Sequence, residues 1–217
     1  MLKEELEVLE TEIRKRVEPE CHRKISKIRE RILNLWRSGV IKSNHSIIEF
    51  VLGCYLISKG YDVEVEVGLS DGLVCDIYAS NSGRVLVVEV ETGFVPPEHA
   101  LDPVNYRFAR ELSKIARYSK YADEFGIAVP PYHILQIPSI ILKPAPKRTI
   151  EECKRLKTLL DLYYKNPPIS IEDLKKARLD VIYVVTVDES SVIEFRPVDY
   201  IKMTMPLIKM MNNDMKL

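Results

Sequence analysis

Four acidic side chains have the types and spacing to do chemistry: Glu49, Asp76, Glu89 and Glu91. Asp76 lies in the apolar run 73–79, and Glu89 and Glu91 in the run 85–91. The segment between them, Ser80-Asn81-Ser82-Gly83-Arg84, is built of turn formers. A hairpin closed about residues 82 and 83 brings Asp76 directly opposite Glu89. Opposed residues of an antiparallel pair have Cβ atoms about 4.5–5.5 Å apart. The two-residue period of a strand puts Glu91 on the face of Glu89. The other face then carries Cys75, Ile77, Leu86, Val88 and Val90, which suit packing on a helix. A slip of one residue would send the acids into that core, so the apolar pattern itself selects this register.

Carboxylates held so close repel. Two unit charges about 4 Å apart cost about 1 kcal/mol in bulk water and about 4 kcal/mol at an effective dielectric near 20. Protonation, a basic neighbour or a metal ion must offset that. An all-oxygen cluster suits Mg²⁺ or Mn²⁺ better than zinc. Such an ion lowers the pKa of a bound water and neutralises charge building up on a phosphate. The plainer alternative is a wet sheet face that happens to be acidic.

The elements that must position these groups can be read from periodicity. Ser43 or Asn44 caps a helix over about 45–59, whose apolar residues are Ile47, Ile48, Val51, Leu52, Tyr55 and Leu56. Glu49 sits on it, one turn after His45, and Gly60 ends it. Residues 61–67 alternate as a half-buried strand, with Glu64 and Glu66 expected on its solvent side, the alternative being that one of them points to the acidic cluster. Upstream, 2–17 and 19–38 read as helices, with Pro19 suited to a first turn. Segment 19–44 holds seven basic residues against two acidic ones. That is either a solvated face or a phosphate-contacting arm. Downstream come a helix over about 103–122, a short strand at 125–130, a proline-rich stretch over 129–147, helices near 149–165 and 170–177, and a hairpin at 181–196. The expected organisation is a helical arm (1–44), an α/β domain (45–200) and a tail (201–217) that is a short helix or partly disordered.

The order helix-Glu, strand, Asp-strand, Glu-x-Glu strand, basic helix resembles the PD-(D/E)XK nuclease superfamily, the restriction-endonuclease-like fold. The resemblance rests on Asn44–Ser46 leading into Glu49, Gly60-Tyr61-Asp62-Val63, Val74-Cys75-Asp76-Ile77 and Val87-Val88-Glu89-Val90-Glu91, and it covers about residues 45–130. It implies that Asp76, Glu89 and the carbonyl of Val90 hold a Mg²⁺ or Mn²⁺ ion, that Glu49 assists, and that DNA is the substrate. It also implies a central mixed sheet flanked by helices, and a homodimer to which the N-terminal helices could supply the interface. Two positions depart from the pattern. Cys75 stands where a proline is usual before the Asp, and Glu91 stands where the Lys is usual. A minority of members carry Glu there, and in some a basic residue from the next helix serves instead. Arg107, Arg110, Lys114 and Arg117 form one helical stripe that could do so, while Phe108, Leu112, Ile115 and Ala116 face the core. The missing Lys equally admits a degenerate member that binds nucleic acid or a protein without cutting.

Composition narrows the alternatives. Hydrophobic residues make up 46% and charged residues 29%, with 32 basic against 32 acidic side chains. That is an ordinary globular balance, and a nucleic-acid partner would need a local basic patch. No apolar run approaches a membrane span, no Gly-rich phosphate loop for a nucleotide cofactor is present, and His22, His45, His99 and His133 are too scattered for a zinc site. Cys21, Cys54, Cys75 and Cys153 are widely spaced, which reads as reduced thiols in a cytoplasmic protein. A single glutamine, Gln136, leans toward a thermophilic source. Tyr106 and Tyr118 are read as packing residues of their helix rather than base-stacking platforms.

Overall fold

A computed structural model describes residues 2–41 and 43–214, without the side chains of 43, 44, 71 and 209–214. The capping expected from Ser43 or Asn44, the turn role of Asp71 and the last residues of the tail therefore lie outside the described residues.

Seven α-helices accompany six strands among the described residues: α1 (Leu2–Arg14), α2 (His22–Arg37), α3 (Ser43–Ser58), β1 (Asp62–Gly68), β2 (Val74–Asn81), β3 (Arg84–Val90), α4 (Pro103–Tyr118), β4 (Glu124–Val129), α5 (Ile150–Tyr163), α6 (Ile171–Lys176), β5 (Val181–Thr186), β6 (Ser191–Phe195) and α7 (Pro197–Asp214). The strands form one mixed sheet in the order β1-β2-β3-β4-β5-β6. Pairings β1–β2, β2–β3 and β5–β6 are antiparallel, and β3–β4 and β4–β5 are parallel. Helix α4 supplies the crossover from β3 to β4, as parallel neighbours require.

Two cores cover the two faces. One joins Leu6, Ile25, Ile32, Phe50, Leu52, Val65, Ile77 and Val88, so α1, α2 and α3 lie on the same side. Helices α1 and α2 thus contribute to the core shared with α3. The other joins Val87, Leu112, Ile115, Phe125, Ile127, Leu160, Leu174 and Tyr200, contributed by the sheet and α4 to α7. β3 is covered on both faces, which its run Val85–Val90 reflects.

Local chemistry explains the boundaries. Ser82 and Gly83 both take positive φ (51° and 80°), the two-residue turn that matches strand twist, and the ladder Ile77↔Val88 to Asn81↔Arg84 has the expected register. Capping boxes at Thr149–Glu152 and Ser170–Asp173 open α5 and α6. The expected second helix splits at Pro19, which starts a 3₁₀ turn before α2, and the tail region 201–214 is helical.

One expectation about side-chain faces is corrected. Cys75 belongs to the core under α4, with Val87 and Ile127, and not to the core of Ile77 and Val88. The alternation breaks on both strands at one level. Val65 and Ile77 pair and lie in the α3-side core, whereas Val67 and Cys75 pair and pack on the α4 side. Between them stand Glu66, with φ of 51°, and Asp76. A left-handed residue in mid-strand costs on the order of 1–2 kcal/mol and turns the next residues of the strand to the opposite face.

A candidate metal centre between two helices

The site forms where β2 and β3 part. Their backbone ladder stops at Ile77↔Val88. Beyond it, side chains take over the backbone groups: Asp76 N donates to Glu89 Oε1 (3.2 Å) and Val90 N donates to Asp76 Oδ2 (2.6 Å). Asp76 and Glu89 are thus neighbours, as the register requires. Glu91 N then donates to Ala128 O on β4, which extends β3 by one residue.

Glu89 and Glu91 are buried, each side chain 2% exposed. The alternative of a wet acidic face is therefore set aside. Lys114 from α4, 15% exposed, offsets their charge. Its Nζ lies 2.8 Å from Glu91 Oε1, 3.2 Å from Glu89 Oε2 and 3.6 Å from Asp76 Oδ2, and it donates to Val90 O at 2.9 Å. One turn earlier, Arg110 Nε donates to both Glu91 oxygens at 3.0 Å. Burial alone would raise the Glu91 pKa, but Lys114 and Arg110 outweigh it and hold the carboxyl below its usual range. Glu89 goes the other way. Burial, with the Asp76 charge, pushes it up to about 8 despite Lys114. Burial disfavours the Lys114 ammonium, yet Asp76, Glu89 and Glu91 together keep its pKa well above the ordinary value.

On the other side of Asp76, α3 presents His45 and Glu49. One ligand atom each from His45, Glu49, Glu66 and Asp76 lie within 4.8 Å of one another, a group that could hold a metal ion. Glu49 is fully buried, and neither of its oxygens has a hydrogen-bond partner among the described residues. His45 Nε2 lies 3.3 Å from Glu49 Oε1, without hydrogen-bond geometry. Burial, then Asp76, Glu66 and Glu89, push the Glu49 pKa well up. Burial lowers that of His45 against the pull of Asp76, which favours a neutral imidazole able to act as a ligand.

A bare buried carboxylate is costly unless it is paired, protonated or bound to a cation. Three carboxylates and one imidazole, with one carboxylate making no hydrogen bond among the described residues, could hold a metal ion. In general a nitrogen donor suits Mn²⁺ better than Mg²⁺, which prefers oxygen and several retained waters. The donors inferred from the resemblance (Asp76, Glu89 and Val90 O) surround the Lys114 ammonium, while the group able to hold an ion shares only Asp76 with that set. Glu66, expected in solvent, is half-buried and belongs to the cluster, because its positive φ turns it toward α3; Glu64 is exposed as expected. The sequence signals available for these residues were the position of His45 one turn before Glu49 and the two glutamates on β1.

The basic stripe of α4 divides. Arg110 and Lys114 reach the carboxylates. Arg107 Nη2 contacts His133 Nδ1 (2.7 Å) and donates to Ile134 O (3.2 Å), and Arg117 Nη2 donates to Pro167 O (2.7 Å). Through His133, Arg107 joins a buried network, in which His133 Nε2 lies 2.9 Å from Glu111 Oε1 and Gln136 N donates to Glu111 Oε2 (2.8 Å). Gly93, just past β3, fits beneath this imidazole, since a Cβ there would stand 2.6 Å from Nδ1. Tyr106 stacks on His99 with ring centroids 4.2 Å apart, and Tyr118 donates to Val74 O, so both tyrosines pack within the protein. In the basic segment before α3, Lys24 pairs with Asp62 (2.6 Å), Arg29 with Glu10 (2.7 Å), and Arg31 donates to Glu66 O (3.3 Å), while Lys42 lies outside the described residues.

The chain is thus an α/β protein with a metal-capable carboxylate cluster at the parting of two strands. No protein-family model, no curated protein and no solved structure matches it. All four cysteines are free, and among the described residues no helix is long and apolar enough to cross a membrane.

Proposed function

We propose that the chain is a divalent-metal-dependent nuclease that hydrolyses DNA phosphodiester bonds, on a restriction-endonuclease-like version of its α/β fold. The observation that carries this reading is the buried carboxylate of Glu49, which makes no hydrogen bond among the described residues, beside His45, Glu66 and Asp76. These four residues would hold the ion, with Mn²⁺ preferred. When bound, the ion supplies a Lewis acid that neutralises phosphate charge and acidifies water.

The chain's own groups divide the remaining work by their environments. Glu91, tied to Arg110 and Lys114, stays ionised and makes a poor proton acceptor. Glu89, pushed up to about 8 by burial and Asp76, suits proton transfer near neutral pH. Arg110, half-buried and bound to Glu91 through Nε, would meet a phosphate oxygen, while Lys114 fixes the carboxylates. One observation favours a second reading, a module that binds without cutting. Lys114 occupies the oxygens of Glu89 and Val90 that the resemblance assigns to metal binding, together with one oxygen of Glu91.

The test is cleavage of duplex, single-stranded and junction DNA, and of RNA, in Mn²⁺ by the wild type and Asp76→Ala. Cleavage of DNA by the wild type, reduced about 10²-fold or more in the variant, is expected. Cleavage unchanged in the variant would remove the catalytic assignment. Binding without cleavage would favour the second reading.

A further inference from the structure

Two donor sets share Asp76. The first is His45, Glu49, Glu66 and Asp76. The second surrounds the Lys114 ammonium, with Val90 O at 2.9 Å, Glu91 Oε1 at 2.8 Å, Glu89 Oε2 at 3.2 Å and Asp76 Oδ2 at 3.6 Å. Three carboxylates and a carbonyl form the all-oxygen set that a hard divalent ion takes. Here a positive charge carried on a side chain stands inside it. An ion binding those oxygens at about 2.0–2.6 Å would overlap the ammonium in space and repel it. Arg110 grips Glu91 through both oxygens, so that wall of the cage stays in place without Lys114.

We propose that Lys114 is a built-in occupant of a second cation position. The protein then takes one divalent ion, at His45, Glu49, Glu66 and Asp76. It takes a second, on Glu89, Glu91 and the Val90 carbonyl, only when the ammonium is removed. The inference rests on the metal reading above and sets its stoichiometry. It gives Lys114 the role of a positioning residue that replaces a metal ion instead of assisting one.

The test is the binding of MnCl₂ alone, followed by calorimetry for stoichiometry and by electron paramagnetic resonance for coupling between neighbouring ions. Wild type is expected to bind one Mn²⁺, without coupling. Lys114→Met is expected to bind two, coupled, and Lys114→Gln repeats the test should the methionine variant not fold. The pair Glu89→Gln with Glu91→Gln, made with Lys114 retained, is expected to keep the single ion, and it decides alone if neither Lys114 variant folds. Two ions in the wild type, one in the Lys114 variants, or loss of the ion from the double glutamine variant would each overturn the inference. Wild type binding no Mn²⁺ at all would instead sink the metal reading on which it rests.

Discussion

Glu66 and Asp76 stand across from each other on β1 and β2 at the level where the pairing between Val65↔Ile77 and Val67↔Cys75 is interrupted. Glu66 is in the left-handed region, with φ of 51°. A glycine there would relieve strain of about 1–2 kcal/mol, but would lose about 0.5–1 kcal/mol to the unfolded chain's freedom. Glu66→Gly is therefore expected to leave the melting temperature within about 4 °C of wild type, while Mn²⁺ affinity falls about ten-fold or more. Calorimetry checks both. Unchanged affinity would remove Glu66 from the site.

Glu49 carries the corresponding test on the α3 side. Its buried carboxylate makes no hydrogen bond among the described residues. Replacing an unsatisfied buried polar group by an apolar one of similar shape is neutral to stabilising, by up to about 1–3 kcal/mol. Glu49→Met is expected to raise the melting temperature of the metal-free protein and to abolish its further rise on adding Mn²⁺. A variant less stable than wild type without metal would show that Glu49 has a stabilising partner of its own.

Stability of the metal-free protein should fall as pH rises from about 5 to 8. Burial, with Asp76, pushes Glu89 up to about 8 from 4.5, so the folded chain keeps a proton that the unfolded chain releases. That stabilisation is complete below the unfolded value and is lost as pH climbs through the folded one, at up to about 1.4 kcal/mol per pH unit for a single group. The raised carboxyls of Glu49, Glu66 and Glu111 act in the same direction. Glu91 acts oppositely, because its lowered pKa contributes stability above the unfolded value that is lost on acidification. Urea titrations at pH 5, 6, 7 and 8 check this. Stability rising steadily over that range would contradict it.

The four basic residues of α4 should separate into two kinds. Arg110→Ala is expected to reduce cleavage by about 10²-fold, because it removes the guanidinium that fixes Glu91. Arg117→Ala is expected to change it less than about three-fold, since Arg117 donates to Pro167 O instead. Arg107→Ala is expected to lower the melting temperature by loosening the contact with His133, while cleavage by the folded fraction is kept. Equal losses in kcat for all three variants would restore a single phosphate-binding stripe.

Much of this arrangement was legible in the sequence, and the gaps have physical causes. The β2–β3 register came from Ser82-Gly83 and the apolar alternation, which are local properties. Glu49 stood out as an acid on an otherwise apolar helix. Glu66 and Cys75 departed from the expected faces because strand alternation assumes an unbroken ladder, whereas the β1–β2 pairing lapses where the left-handed Glu66 stands across from Asp76. The helical period groups Arg107, Arg110, Lys114 and Arg117, but their side chains go to different partners. The partners of Arg107 and Arg117 come from the chain around His133 and Pro167, far away in sequence, which no local pattern encodes. The depth at which Glu89 and Glu91 lie depends on β4 pairing beside β3 and on α4 covering it, both of them long-range contacts.

Crystals soaked in MnCl₂ and measured at the manganese absorption edge test the central claim most directly. A single anomalous peak within about 2.0–2.4 Å of oxygens from Glu49, Glu66 and Asp76 and of a nitrogen from His45 is expected. A peak seated on Glu89 and the Val90 carbonyl with Lys114 displaced, or no peak near Asp76 at saturating Mn²⁺, would contradict it.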